Sequence, residues 1–291
     1  MRCCGAKLAR IIGAVVLGAT LAGCSAIKLG YNNLPDLAYW WLDGYVDFND
    51  AQTPRVRDDL ASLLAWHRQT ELPQIAALLQ KAEALAPADV TPEQACAFTE
   101  DIRARLLAVA MRAEVPGAEL AVSLDDAQLQ TLERKYAKTN ADYASDWLKR
   151  SVAKQQDKRY DQFLDRNEDF YGRLDSAQRD LLRQQVAASV FDAKRVDAER
   201  RLRQQEALAL LRRFAAERTP SAEARPLLHA YIQRVSQPPP GPWRDYQQAV
   251  LQEGCRNVAA LHNSTTPAQR QKAVERLRAY EADVRDLMAA R

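Results

Sequence analysis

An all-α fold is what this 291-residue sequence predicts, on three observations. Sustained alternation of apolar and polar residues is nearly absent, and no Asn-Gly or Asp-Gly hairpin turn lies between β-branched runs. Ala, Leu, Arg, Gln and Glu dominate, all strong helix formers, and glycines number only 10. At four places a capping residue stands three positions ahead of a glutamine, the local arrangement that starts a helix.

Arg2, Lys7 and Arg10 open the chain, and Ile11 to Ala22 follows as an apolar run. That run has the length of a secretory signal and falls short of the roughly 20 residues needed to span a bilayer. Leu21-Ala22-Gly23-Cys24 ends it, with two small residues ahead of the cysteine, as a signal peptidase requires. The tetrapeptide resembles the lipobox of bacterial lipoproteins, with Cys24 as the lipidated first residue of the mature chain. The expected organisation is a cleaved signal over 1–23, a lipidated tether over 24–33, and a single all-helical domain over 34–291. Residue 25 is Ser and not Asp, which in such lipoproteins implies transfer to the outer membrane, facing the periplasm.

Cleavage changes the charge. The formal +3 comes from Arg2, Lys7 and Arg10, and without them 38 basic residues face 38 acidic ones. A neutral chain gives no warrant for nucleic acid binding, so the membrane affinity falls to the lipid on Cys24. Cys3 and Cys4 leave with the signal, and Cys96 and Cys255 remain in an oxidising compartment. They are either two buried thiols or one disulfide closing a long loop.

The first expected helix runs from Leu34 to Phe48, with Pro35 in its first turn and Tyr39, Trp40, Trp41, Tyr45 and Phe48 along it. Trp41, Tyr45 and Phe48 share a helical face, and Trp40 points partly away. These aromatics either pack into the core, or present Tyr39, Trp40, Trp41 and Tyr45 as an interaction surface at the membrane or a partner. Thr53-Pro54 reads as the cap and first position of the next helix, and Pro73 as its kink or break.

The capping grammar recurs at Thr91–Gln94, Asp125–Gln128, Asp175–Gln178 and Thr266–Gln269, without a constant period. From Asp125, Leu129, Leu132, Tyr136, Tyr143 and Trp147 trace one face of a long helix that continues through Tyr160 and Phe170. After Gly172, Leu181, Leu182, Val186 and Val190 return toward Phe214. The pattern predicts an elongated helical bundle with a long antiparallel hairpin turning near Tyr171-Gly172. The polar stretches Ala153–Arg159 and Arg200–Glu206 imply that part of it is solvated. Thr219-Pro220 starts a shorter helix, and Pro238-Pro239-Pro240-Gly241 is a stiff loop. Helices bearing Cys255, then Leu277 and Leu287, close the chain.

Motifs for catalysis are sparse. No Gly-rich phosphate loop, Gly-x-Ser-x-Gly elbow or Glu-x-x-His bundle motif occurs, and no cofactor or metal is expected. His67 and Glu71 stand four apart but read as a boundary pair. Asp157, Asp161 and Asp165 line one helix face, interleaved with Lys154, Lys158 and Arg166, as a solvated ion-paired surface does.

Leu29-Gly30-Tyr31-Asn32 and Leu37-Ala38-Tyr39-Trp40-Trp41-Leu42-Asp43 resemble an uncharacterised proteobacterial lipoprotein family, a domain of unknown function. Phe170-Tyr171-Gly172-Arg173-Leu174 and His262-Asn263-Ser264-Thr265-Thr266-Pro267 are similar to its later landmarks. The resemblance implies no activity. The helix starts also resemble, faintly, those of stress-induced periplasmic helical chaperones. The leading expectation is a non-catalytic outer-membrane lipoprotein that binds or scaffolds, with an envelope protein or the cell wall as partner. A periplasmic chaperone-like protein is one alternative. The other is an envelope hydrolase bringing Glu168 or Asp169 against Asp43 or Asp47.

Overall fold

In the computed structural model, which describes residues 27–290, every regular element is a helix. The expected signal peptide, Cys24 and Ser25 lie outside the described residues. Residues 27–32, expected within a tether, are helical and held against the body. Tyr31 Oη lies 2.9 Å from His67 Nδ1, Arg68 donates to Asn32 Oδ1 at 2.7 Å, and Lys28 pairs with Asp286 at 2.7 Å.

Twelve α-helices follow among the described residues: α1 (Leu34–Val46), α2 (Gln52–Trp66), α3 (Leu72–Leu85), α4 (Pro92–Arg112), α5 (Glu114–Ser123), α6 (Asp126–Tyr143), α7 (Val152–Tyr171), α8 (Ser176–Ala187), α9 (Ala193–Glu217), α10 (Ser221–Ser236), α11 (Pro242–Asn263) and α12 (Pro267–Ala289). A π-helical turn over His67–Glu71 joins α2 to α3, so Pro73 follows a widened turn and no break occurs. All four expected capping boxes close in both directions.

Two helix starts differ from expectation. Asn49, not Thr53, caps α2: its Oδ1 accepts from the N–H groups of Ala51 and Gln52 at 3.0 Å. Gln52 Oε1 accepts in return from the Asn49 N–H at 3.2 Å, and Thr53 instead bonds Tyr39 Oη at 3.0 Å inside the helix. Before α10 the Thr219 side chain makes no cap bond.

The helices are organised by two interlocked corners. In one, the α1–α2 corner crosses the α5–α6 corner: α1 packs on α6, and α2 on α5. In the other, α7–α8 crosses α11–α12 in the same manner, with α7 on α12 and α8 on α11. Tyr39, Phe48 and Val56 fill the first corner, and Tyr171, Leu174, Leu261 and Ala273 the second. Further layers complete the bundle. Leu79 in the middle of α3 and Ala86 just beyond its end meet Val274 and Leu277 of α12, and Ala224 of α10 meets Ala121 of α5 and Phe214 of α9.

The hairpin turns at Gly172, whose φ of 75° belongs to the left-handed region, but neither arm is one continuous helix. On the way out, a π turn over Ala144–Leu148 ends α6 and Ser151 caps a new start at α7. On the return, α8 stops at Ala187 and Asp192 caps α9 through the N–H groups of Lys194 and Arg195. The two breaks meet, with Trp147 and Phe191 ring centroids 5.4 Å apart. Arg159 comes from the stretch expected to be solvated, yet it covers the Phe191 ring and donates to Ser189 Oγ at 2.8 Å. Its desolvation there holds its pKa below the usual arginine value.

Candidate functional site

The N-terminal aromatic helix divides its side chains. Tyr39 is buried and Tyr45 half-buried, whereas Trp40 and Trp41 are 63% and 62% exposed. Trp41 thus leaves the face on which its spacing with Phe48 put it. The reason is local: α1 ends at Val46 and Asp47 adopts φ 58°, so Phe48 enters the core by a turn in the chain and not by helical periodicity. Leu34, Leu37 and Trp41 follow at i, i+3 and i+7 on the outer face, and with Ile27, Leu29 and Trp40 form an exposed apolar stretch over residues 27–41.

Cys96 on α4 and Cys255 on α11 form a disulfide with Cα atoms 5.3 Å apart. Beside it lies an apolar cavity of about 490 Å³. Phe98 and Thr99 of α4 stand on one wall, Val250, Gly254, Val258 and His262 of α11 on another, and Ala86, Phe170, Tyr171 and Leu277 are among the residues that close it. The α11 residues recur every fourth position, which places them in one stripe along the helix.

The polar floor of the cavity is satisfied within the protein. His262 Nε2 lies 2.8 Å from the Ala88 carbonyl, so this nitrogen carries the proton, and Nδ1 accepts from Tyr171 Oη at 3.0 Å. Burial lowers the His262 pKa and pushes that of Tyr171 up to about 12, so both rings are neutral at pH 7. No charged side chain lines the cavity. Tyr171 and His262 belong to the two later motifs singled out in the sequence, which the fold joins at this floor. Asn263 of the same motif pairs with Val90 through both its side-chain amide atoms, at 2.9 and 3.0 Å, and so fixes the loop that leads into α4.

Gly254 is the residue that sequence reasoning passed over. A glycine within a helix costs about 1 kcal/mol relative to alanine, so it marks a position with a reason. No turn or positive φ requires it, and an added Cβ would meet nothing within 4 Å. The stripe at four-residue spacing, interrupted by this glycine, was the available signal.

The carboxylates considered for catalysis are distributed and occupied elsewhere. Glu168 accepts from the Leu174 N–H at 3.0 Å and pairs with Arg179 at 2.6 Å, contacts that hold its pKa below the usual range. Asp43 accepts from the Phe48 N–H at 2.9 Å. Asp157, Asp161, Asp165 and Asp169 are exposed, and Asp47 is exposed at the end of α1. The three histidines are apart from one another. His67 bonds Tyr31, His262 bonds Tyr171, and His229 lies 2.7 Å from the buried Glu114, which Arg225 also holds at 2.6 Å. Among the described residues, no three or more His, Cys, Asp or Glu groups come together in a way that would hold a metal ion. No described helix is long and apolar enough to cross a membrane.

A family model described as a family of unknown function (DUF6279) matches residues 44–229, well over half of the chain. No curated protein and no solved structure matches it.

Proposed function

The chain belongs to DUF6279, a family of unknown function, and we propose that it works as a non-catalytic binding module held by a lipid on the periplasmic face of the outer membrane. The anchor rests on the sequence: a positive n-region, a short apolar run, the lipobox ending at Cys24, and Ser25 after it. The likeness of its motifs to proteobacterial lipoproteins points the same way. The apolar stretch over residues 27–41, which begins three positions after Cys24 and carries Trp40 and Trp41 outward, is what a segment seated at a membrane interface would present.

The binding half of the proposal rests on one observation, the apolar cavity beside the disulfide. A cavity of about 490 Å³ lies in the range of small-molecule sites. Its only ionisable groups, Tyr171 and His262, are bonded to each other and held neutral, which suits retention of an apolar ligand better than proton transfer to a polar one.

Radiolabelled palmitate fed to cells tests the anchor. The protein is expected to take up label and sediment with outer membranes, and Cys24→Ser is expected to lose both properties. Label on the serine variant, or sedimentation with inner membranes, would overturn it. Turnover of an envelope substrate that single carboxylate variants abolish would overturn the binding role.

A further inference from the structure

We propose that the cavity holds the chain of an anionic single-chain amphiphile, with the head group in the neighbouring cleft. This rests on the reading of the chain as a binding module and adds the chemical class of what it binds.

Shape is the first argument. The α11 stripe from Val250 to His262 spans twelve residue steps, about 18 Å of helix at 1.5 Å per residue. Half of the roughly 30 Å hydrocarbon core of a bilayer, about 15 Å, is the depth one lipid chain occupies. An apolar wall of that length, open to solvent along Val250 and Val258, suits an extended acyl chain better than a compact ring system. Gly254 lies in the middle of the stripe, and its missing side chain leaves open the space that a Cβ would enter without touching any neighbour.

Charge is the second. A separate cleft of about 900 Å³ shares Val250 and Leu251 with the cavity, and Val250 is 37% exposed between them. This cleft is mixed in character and carries Arg103, Arg244 and Glu100. Arg103 is matched: it pairs with Glu100 at 2.9 Å and donates to the Ser236 carbonyl at 3.1 Å. Arg244 is exposed and has no ion pair or hydrogen bond among the described residues. One unmatched cation therefore stands beside the mouth of an uncharged chain site. Trp243 and Tyr246 flank it, the residue types that suit a boundary between apolar and wet. An apolar tail with an anionic head satisfies both compartments at once, whereas a neutral hydrocarbon leaves the cleft unused.

The test uses the full chain carrying Cys24→Ser, which cannot be lipidated and so brings no acyl chain of its own. A fluorescent fatty acid is bound and then displaced by palmitate, by lysophosphatidylglycerol or by hexadecanol. Palmitate or lysophosphatidylglycerol is expected to displace it at one site per chain. Whichever does so more strongly identifies the head as carboxylate or phosphate, and either result supports the proposal. Gly254→Phe is expected to weaken binding by about tenfold or more while thermal unfolding stays cooperative, and Gly254→Leu repeats the test with less bulk. Arg244→Glu is expected to weaken the anions roughly tenfold and leave hexadecanol unchanged. Anion binding indifferent to both Gly254 variants would overturn the assignment of the cavity. Binding of all three ligands indifferent to Arg244→Glu would overturn the anionic head and leave the binding module standing. Binding of none of them would overturn both.

Discussion

Gln52 and Gln128 exchange hydrogen bonds through their side-chain amides, at 2.6 and 3.1 Å, although 76 residues separate them. Gln178 and Gln269 do the same at 2.8 and 2.9 Å across 91 residues. Each glutamine has two further roles. Its Oε1 closes its own helix cap, and its Nε2 also donates to the carbonyl five positions ahead of the partner: Ser123, Asp47, Ser264 and Arg173. All four are buried. The same knot therefore joins both interlocked corners, and at each one it aligns two helix starts whose free N–H groups would otherwise lie inside the protein. The second knot also holds the turn after Tyr171 and the end of α11 in place, and these two carry the floor of the cavity.

Gln128→Leu is expected to destabilise the protein by about 3 kcal/mol, since it leaves the Gln52 amide and the Asp47 carbonyl buried with fewer partners. Adding Gln52→Leu is expected to cost less than that substitution does alone, because the reciprocal amide bonds it would break are already gone. Urea unfolding of the two single variants and the double variant gives the coupling directly. A sum of independent losses would show that the reciprocal pair is not the unit of stability.

How far these features were legible follows from the range of each interaction. The boxes at Thr91, Asp125, Asp175 and Thr266 were readable because both partners lie within four residues. The pairing of their glutamines was not, since Gln94 has the same local sequence yet joins no partner glutamine. Asn49 stands behind Thr53-Pro54, a stronger local signal four residues further on. The hairpin turn at Gly172 was visible from the apolar pattern on either side. The breaks that divide its arms were not, because they are stabilised across the hairpin by Trp147 and Phe191. Periodicity shows which residues face inward but not whether the facing helices fill the space between them, so the cavity needed the structure.

Gly172→Ala is expected to cost about 1–3 kcal/mol through its backbone conformation, with φ 75° and ψ −170°. An added Cβ would also lie 2.8 Å from Lys272 Nζ, but that is the tip of a flexible side chain and can move. Thermal unfolding of Gly172→Ala with and without Lys272→Ala separates the two effects. Recovery in the double variant would assign the cost to crowding and not to the turn.

The disulfide links positions 159 apart. By loop entropy, replacing both cysteines with alanine is expected to remove about 5 kcal/mol. Because α4 and α11 form facing walls of the cavity, the same change is expected to weaken retention of an apolar probe. Denaturant unfolding with and without reductant measures the first effect, and probe fluorescence the second.

Trp40→Ala with Trp41→Ala is expected to change stability by less than about 0.5 kcal/mol, since both rings are mostly exposed. Sedimentation of the Cys24→Ser chain with vesicles is expected to fall severalfold in the same variant. A large loss of stability would instead place these rings in the packing of α1.

His262 gives the stability a pH dependence whose sign can be worked out. Burial lowers its pKa in the folded chain from the ordinary 6.5, so below that value the unfolded chain binds more protons than the folded one. The contribution is fully present above pH 6.5 and is lost as pH falls from there through the depressed folded pKa. Protonation at Nδ1 would also remove the acceptor that Tyr171 uses. Of the charged groups nearby, Arg270 disfavours the added proton and Asp89 favours it, both weaker influences than burial. His67 is shifted in the same direction and for the same reason, with Glu71 opposing, so it adds to the slope. Unfolding free energy is therefore expected to decline between pH 7 and pH 5, with His262→Gln flattening part of the slope and His262→Gln with His67→Gln more of it. A slope unchanged in the double variant would overturn the assignment to the histidines; Glu114, whose pKa is held low by its bonds to His229 and Arg225, loses its contribution only at a lower pH, below that window.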